Sequence, residues 1–237
     1  MIDLLKEEDL VVGYYEDINI LQGVSLEADK QDITAVLGPN GVGKSTLLKT
    51  ICGFLTPNSG AISFKGDSIS GIEPHKAIRK GLVYLPQELT LFHRMTVREN
   101  LQLGGWTIRG DKELVEERIE ENYERFPILS EKADQHAGNL SGGQQRMVDL
   151  GRALMSNPEM LLVDEPTAGL APNLAGEMYD RLISLSDEGR TILLVDQNIR
   201  KAIEISDYIY ALELGKNKTQ GPREEFADVK EVIKDWL

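Results

Sequence analysis

Apolar residues in this chain gather into short, nearly unbroken runs, and between the runs they recur at helical spacing. The runs Leu10–Tyr14, Ile33–Leu37, Ala61–Phe64, Leu82–Leu85, Met160–Asp164, Ile192–Asp196 and Tyr208–Glu213 predict strands by their length and β-branched content. Several lack polar alternation, the mark of strands covered on both faces, as in a parallel sheet. Helical spacing predicts Gly43–Cys52, Thr96–Leu103, Lys112–Phe126, Gln144–Met155, Leu174–Leu185, Ile199–Ile205 and Val229–Leu237. Strands dominate up to about Phe64, helices from about Glu88 to Asn157, and the last third alternates as βαβ units do. The expected architecture is one α/β domain over residues 1–237. Its β-rich core spans about 1–87 and 158–237, opens with an antiparallel β region, and is interrupted by a helical insertion over about 88–157.

The 237 residues are ample for one buried core, and 41% apolar with 27% charged residues reads as globular rather than disordered. Twenty-six basic against 39 acidic residues leave a net charge of −13. That balance argues against a nucleic-acid binder, which needs a basic footprint on phosphates, but leaves a local nucleotide pocket open. A single cysteine, Cys52, rules out an internal disulfide framework and a thiolate zinc cage, and reads as a small packed residue. His75, His93 and His136 are scattered without metal-ligand spacing. No apolar run approaches the ~20 residues that cross a bilayer. The opening MIDLLKEEDL lacks the basic-then-apolar order of a secretion signal, so a cytoplasmic chain able to dock on a membrane protein is expected. The acidic stretch DKELVEERIEENYERF, with Leu114, Val115, Ile119, Tyr123 and Phe126 at helical spacing, reads as a solvated amphipathic helix. Trp236, on the short apolar face VIKDWL, is expected to dock on the core.

Residues 38–46 read G-P-N-G-V-G-K-S-T between a predicted strand and a predicted helix, which satisfies the phosphate-loop pattern in its required setting. Gly38, Gly41 and Gly43 let the backbone, carried on through Pro39, Asn40 and Val42, curl its N–H groups toward phosphate oxygens. The following helix, entered through Ser45 and Thr46, turns its positive end on the same anion. Lys44 supplies a point charge for the terminal phosphates and Ser45 a hydroxyl for Mg²⁺. Downstream, M-L-L-V-D-E delivers two acids at the carboxyl end of a strand, where open α/β sheets place their ligands. Asp164 is then a candidate to hold Mg²⁺, and Glu165 a general base for an attacking water.

The string L-S-G-G-Q-Q-R at 140–146 is a second anion site at a helix start: Ser141 is a capping residue, Gly142 and Gly143 expose backbone N–H groups, and Gln144 follows as a further binding candidate. One phosphate tail cannot easily use both sites if they lie on opposite faces; two chains, each closing over the other's nucleotide, can.

Loop 38–46, segment 140–146 and the pair 164–165 together resemble the ATP-binding subunits of ABC transporters, over essentially the whole chain. The resemblance implies a P-loop ATPase fold, ATP and Mg²⁺ as ligands, a second ATPase chain and integral membrane permease subunits as partners, and indirectly a soluble substrate-binding protein. It implies a place on the inner face of the cell membrane. Tyr15, 23 residues before Gly38, resembles the aromatic platform for adenine, with Tyr14 as the neighbouring alternative. Gln87, in V-Y-L-P-Q, resembles the glutamine that senses Mg²⁺ and the γ-phosphate, and the segment after it resembles the one that receives the permease. Two positions depart from the family: Gln197 stands where a γ-phosphate-contacting histidine is usual, and Ala171 where an aspartate is usual. Both resemble the second ATPase of branched-chain amino-acid importers. Gln87 is shared with urea or amide importers and with the lipopolysaccharide-export ATPase, which keeps the histidine. A GTPase is disfavoured, since N-K-T-Q at 217–220 lacks the aspartate that reads guanine, and the long coiled-coil insertions of soluble relatives are missing.

Overall fold

The computed structural model describes residues 3–15 and 18–226; the predicted helix Val229–Leu237 and Trp236 lie outside the described residues. In chain order the elements are β1 (Asp3–Tyr15), β2 (Ile18–Asp29), β3 (Ile33–Leu37), α1 (Lys44–Ile51), β4 (Ser59–Phe64), β5 (Asp67–Ser68) and α2 (Pro74–Arg79). Then come β6 (Leu82–Leu85), α3 (Val97–Gly104), α4 (Lys112–Arg125), α5 (Pro127–Glu131) and α6 (Gly142–Leu154). The chain returns to alternation with β7 (Met160–Asp164), α7 (Pro172–Asp187), β8 (Thr191–Val195), α8 (Ile199–Ile205), β9 (Tyr208–Glu213) and β10 (Lys216–Pro222).

Two sheets form. A six-stranded sheet runs β10-β9-β3-β8-β7-β6, parallel except for the antiparallel edge strand β10; a four-stranded antiparallel sheet runs β2-β1-β4-β5. Period-two geometry explains the continuous apolar runs. In β7, Leu161 and Val163 enter one core while Met160 and Leu162 enter the other; in β8, Ile192 and Leu194 divide in the same way from Leu193 and Val195. The first core is closed by Met147, Val148 and Leu150 of α6, Met178 and Leu182 of α7, and Ala202 and Ile203 of α8. The second is closed by Leu47, Leu48 and Ile51 of α1 and by the inner face of the antiparallel sheet, Leu10, Val12 and Ile62 among it. Each such Val, Leu, Ile or Met side chain, fully buried, contributes roughly 1.5–3 kcal/mol relative to exposure. The parallel strands therefore end their carboxyl termini between two packed layers, which holds the loops after β3, β7 and β8 side by side.

The structure departs from the sequence expectation in several places. β1 begins at Asp3 rather than Leu10, because the polar run Lys6–Asp9 is strand, distorted by a bulge at Asp9 (φ 49°). β2 escaped prediction because its half-buried face alternates apolar and polar residues around Gly23. β10 has almost no apolar residue and exists through its pairing with β9. The short helices α2 and α5 were also unpredicted.

Glu7, in β1, is buried and neither carboxylate oxygen has a hydrogen-bond partner, so desolvation holds its pKa well above the usual glutamate value. The folded protein then binds that proton more tightly than the unfolded chain. Stability is full below about pH 4.5 and falls as pH rises through the interval between the unfolded and folded values. Glu7→Met should remove that cost, on the order of 1–3 kcal/mol. Thermal melts should show a gain of several degrees at pH 8 that shrinks at pH 4.

Candidate functional site

The loop after β3 ends in a helix whose first turn is left open. Gly43, the N-cap of α1, sits in the left-handed region (φ 109°), provides no side-chain cap, and no acid follows in the first turn. The first N–H groups of α1 therefore lack partners within the chain's own helix and make an anion site. The left-handed φ is what requires glycine at position 43, and a Cβ there would also press on the Leu21 side chain at 2.5 Å. Lys44 is buried, and its ammonium donates to the carbonyls of Gly38 (2.8 Å) and Pro39 (3.0 Å), arched back over its own loop. Burial lowers its pKa, while the carboxylates of Glu165, Asp164 and Asp196 oppose that shift.

β7 and β8 deliver the other half. The Asp164 carboxylate accepts from Ser45 Oγ (3.1 Å) and from the Tyr84 hydroxyl on β6 (2.8 Å). Glu165 is buried and holds the left-handed conformation (φ 44°), which for a non-glycine residue costs roughly 1–3 kcal/mol and clusters at functional sites. Its N–H donates to Val195 O (2.7 Å), which pins the turn to the end of β8. Its Oε2 accepts from Gln197 Nε2 at 2.6 Å. The carboxylate can only accept, so the amide nitrogen faces it. A hydrogen bond to an ionised group is worth about 1.5–3 kcal/mol. Gln197→Ala should accordingly slow turnover at this site roughly 10–100-fold, with ligand binding little changed; equal rates for Ala, His and Gln at this position would take it out of the chemistry.

One cleft of about 430 Å³ gathers these groups: Asn40, Gly41, Gly43, Lys44, Ser45 and Thr46 from the loop, then Gln87, Glu165 and Gln197. Tyr14 lines it too, its hydroxyl 3.5 Å from Thr46 Oγ1. The Tyr15 side chain lies outside those described, so the aromatic wall described here belongs to Tyr14.

Segment 140–146 does not line this cleft. Ser141 caps α6 in a reciprocal box: its hydroxyl accepts from Gln144 N (3.4 Å) and Gln144 Oε1 accepts from Ser141 N (3.0 Å). Both of those N–H groups are thereby used. By helix geometry the N–H groups of Gly142 and Gly143 have no intrahelical acceptor, so they are the donors the segment can offer an anion. Gln145 donates to Ala137 O and Leu140 O, which fixes the approach to the helix.

Sequence reasoning singled out no role for Arg146, Tyr84, Thr167, Tyr179 or Asp196. The buried Arg146 guanidinium donates to Pro86 O (2.8 Å), Pro166 O (3.0 Å), Gln87 O and Asp164 O (both 3.4 Å), tying α6 to the turns carrying Gln87 and Glu165. Sequence announces only its i,i+3 ion pair with Asp149 (3.5 Å), because the hydrogen bonds that tie the two turns all go to backbone carbonyls. Ala171, which stands where the family usually has an aspartate, is the N-cap of α7 and gives it no side-chain cap. Among the described residues no cluster of three or more His, Cys, Asp or Glu could hold a metal by itself. The Ser45–Asp164 pair is nevertheless a hard-oxygen set, and Mg²⁺ binds through one or two carboxylates together with substrate phosphates. These residues fit that ion.

A larger groove of about 510 Å³ lies between α2, β6 and the helices α3 and α6. Exposed Ile78, Phe92 and Trp106 form its apolar wall, with Asp149 and Arg152 among its polar lining. Thr90 donates to Asp149 (2.9 Å), and Arg152 bonds both Thr90 and Asp149.

A glycine loop at a helix start with a buried lysine, a serine–aspartate pair and a strained glutamate at adjacent strand ends define a P-loop nucleotide triphosphatase. The comparisons narrow that class. Residues 21–168 match the family model described as ABC transporter, so the chain belongs to the ABC transporter family and is an ATP-binding subunit of it. It is 41% identical to the probable branched-chain amino acid transport ATP-binding protein LivF of Archaeoglobus fulgidus over 95% of this chain and 94% of that one. It is 33% identical to the lipopolysaccharide export ATP-binding protein LptB of Haemophilus influenzae over 99% and 97%. Among solved structures, an ATP-binding cassette of an ABC transporter in its ADP conformation superposes with TM-score 0.87 at 34% identity, covering 99% of this chain and 96% of that one. A dimeric cassette in a post-hydrolysis state with ADP and phosphate gives 0.82 at 25% identity, covering 92% and 98%. The expected fold class is thus borne out, as is the resemblance that named the family.

Proposed function

We propose that this chain powers an importer of branched-chain or closely related amino acids, hydrolysing ATP between two cassettes at the inner face of the cell membrane. What carries the reading is the separation of two anion sites: the 430 Å³ cleft holds Lys44, Ser45, Glu165 and Gln197, whereas the α6 start with Gly142 and Gly143 stands outside it. A second chain, identical or different, supplies that start to the phosphates. The dimeric arrangement of a related cassette supports this. Higher identity to the amino-acid relative than to the lipopolysaccharide one favours import of amino acids. Glutamine in place of histidine at 197 points the same way.

The residues act as follows. Lys44 and the N–H groups of the loop bind the β- and γ-phosphates, and Tyr14 or Tyr15 packs on the base. Ser45, Asp164 and Gln87 would hold Mg²⁺, which would supply charge neutralisation at the phosphate oxygens. Glu165, oriented by Gln197, takes the proton of the attacking water. Closure of the partner's 140–146 segment excludes bulk water, and loss of the γ-phosphate releases the pair. The permease docks in the 510 Å³ groove between the helical segment, about 88–157, and α2 with β6, where Ile78, Phe92 and Trp106 offer an apolar face. Among the described residues no helix is long and apolar enough to cross a membrane.

The test is reconstitution of this chain with its permease partners and soluble receptor in vesicles. ATP-dependent uptake of labelled leucine, isoleucine or valine is expected. Transport of urea or extraction of lipid, with no amino-acid uptake, would overturn the substrate assignment.

A further inference from the structure

Behind the cleft, the Tyr179 hydroxyl on α7 lies between two turns. It donates to Asp196 Oδ2 (2.9 Å) and stands 3.0 Å from Thr167 Oγ1. A phenol has one proton, and the Asp196 carboxylate takes it, so Thr167 is the donor in the second contact. Asp196 and Tyr179 are both almost fully buried, and Asn198 N donates to the remaining Asp196 oxygen (2.8 Å). Asp196 immediately precedes Gln197, which holds Glu165, and Thr167 lies two residues after Glu165. The contacts thus close a ring through Glu165, Thr167, Tyr179, Asp196 and Gln197. Glu165 sits within it in a strained conformation that only its surroundings maintain. Burial raises the Tyr179 and Asp196 pKa values, as expected of groups shielded from water.

We infer that Tyr179 is a positioning residue for hydrolysis: its hydroxyl couples the loop after Glu165, residues 166–171, to the turn that carries Gln197, so that the carboxylate and its amide partner move as one unit. The inference rests on the hydrolytic reading of Glu165. Tyr179 does not itself line the cleft.

The experiment uses the complete chain with its permease partners. Tyr179→Phe keeps the ring and removes only the bridge. Turnover is expected to fall about tenfold with KM for ATP within twofold. Thr167→Val should reproduce the fall, Thr167→Ser should not, and the double variant should be no slower than either single one, as members of one network behave. Amide hydrogen exchange over 166–171, measured without nucleotide, should rise several-fold in Tyr179→Phe. Unchanged turnover, unchanged exchange, or a loss in which kcat and KM shift together with a large drop in Tm overturns the inference, the last reducing Tyr179 to a packing residue. Absence of ATP hydrolysis by the wild-type complex would instead refute the hydrolytic reading, and the exchange measurement would still decide whether the bridge exists.

Discussion

Replacing Glu165 by glutamine should abolish turnover while leaving ATP bound. General-base catalysis contributes roughly 10²–10⁴-fold, and the substitution removes the base without altering the side chain's shape. The fold should tolerate it: Gln197 Nε2 can donate to the new amide oxygen as it does to Glu165 Oε2, and the Glu165 N–H to Val195 O bond is a backbone contact. Nucleotide affinity should hold or rise. Lys44 and the loop are untouched, and one negative charge beside the triphosphate is gone. With hydrolysis blocked, the γ-phosphate continues to bridge the two chains, so a dimer should accumulate with ATP and Mg²⁺. Phosphate release under saturating ATP, read beside size-exclusion chromatography, checks both halves. Turnover within threefold of wild type would take Glu165 out of the chemistry.

How much of this was legible beforehand follows from where each signal lives. β3, β6, β7 and β8 could be read because strands covered on both faces must be apolar throughout. β2 and β10 could not, since one presents a half-polar face and the other persists by pairing alone. The phosphate loop was legible because its demands are local: glycines for φ, one lysine, one hydroxyl, a helix immediately after. The support around it was not, because it is assembled from distant positions. Tyr84 and Asp164 are eighty residues apart and meet only once β6 pairs with β7. Arg146 reaches backbone carbonyls, which no side-chain pattern announces. Glu7 sits in a run of four charged residues that looks solvent-facing, yet the pleat turns it inward.

The second large effect is expected at Gly142, where stability and activity should part. A Cβ there would meet nothing within 4 Å, so a side chain fits, whereas one at Gly143 would collide with Leu174 at 2.6 Å. Gly142 is also the first residue of α6, a position where an aspartate favours the helix dipole by roughly 0.3–1 kcal/mol. Gly142→Asp should therefore melt at the wild-type temperature or slightly above it. Its own loop 38–46 is unchanged, so single-chain nucleotide binding should stay within about threefold. The partner's nucleotide meets a different surface. A carboxylate about 4 Å from a phosphate oxygen, at an effective dielectric of 20, costs ~4 kcal/mol. That corresponds to roughly a thousandfold loss. Turnover and nucleotide-driven dimerisation should both collapse in a protein whose fold is intact and whose own loop still binds ATP. A Gly142→Asp protein that hydrolyses ATP normally would mean that the start of α6 never faces a phosphate. One chain would then have to complete the site alone, and the separation of the two anion sites would have to be explained by something other than a partner.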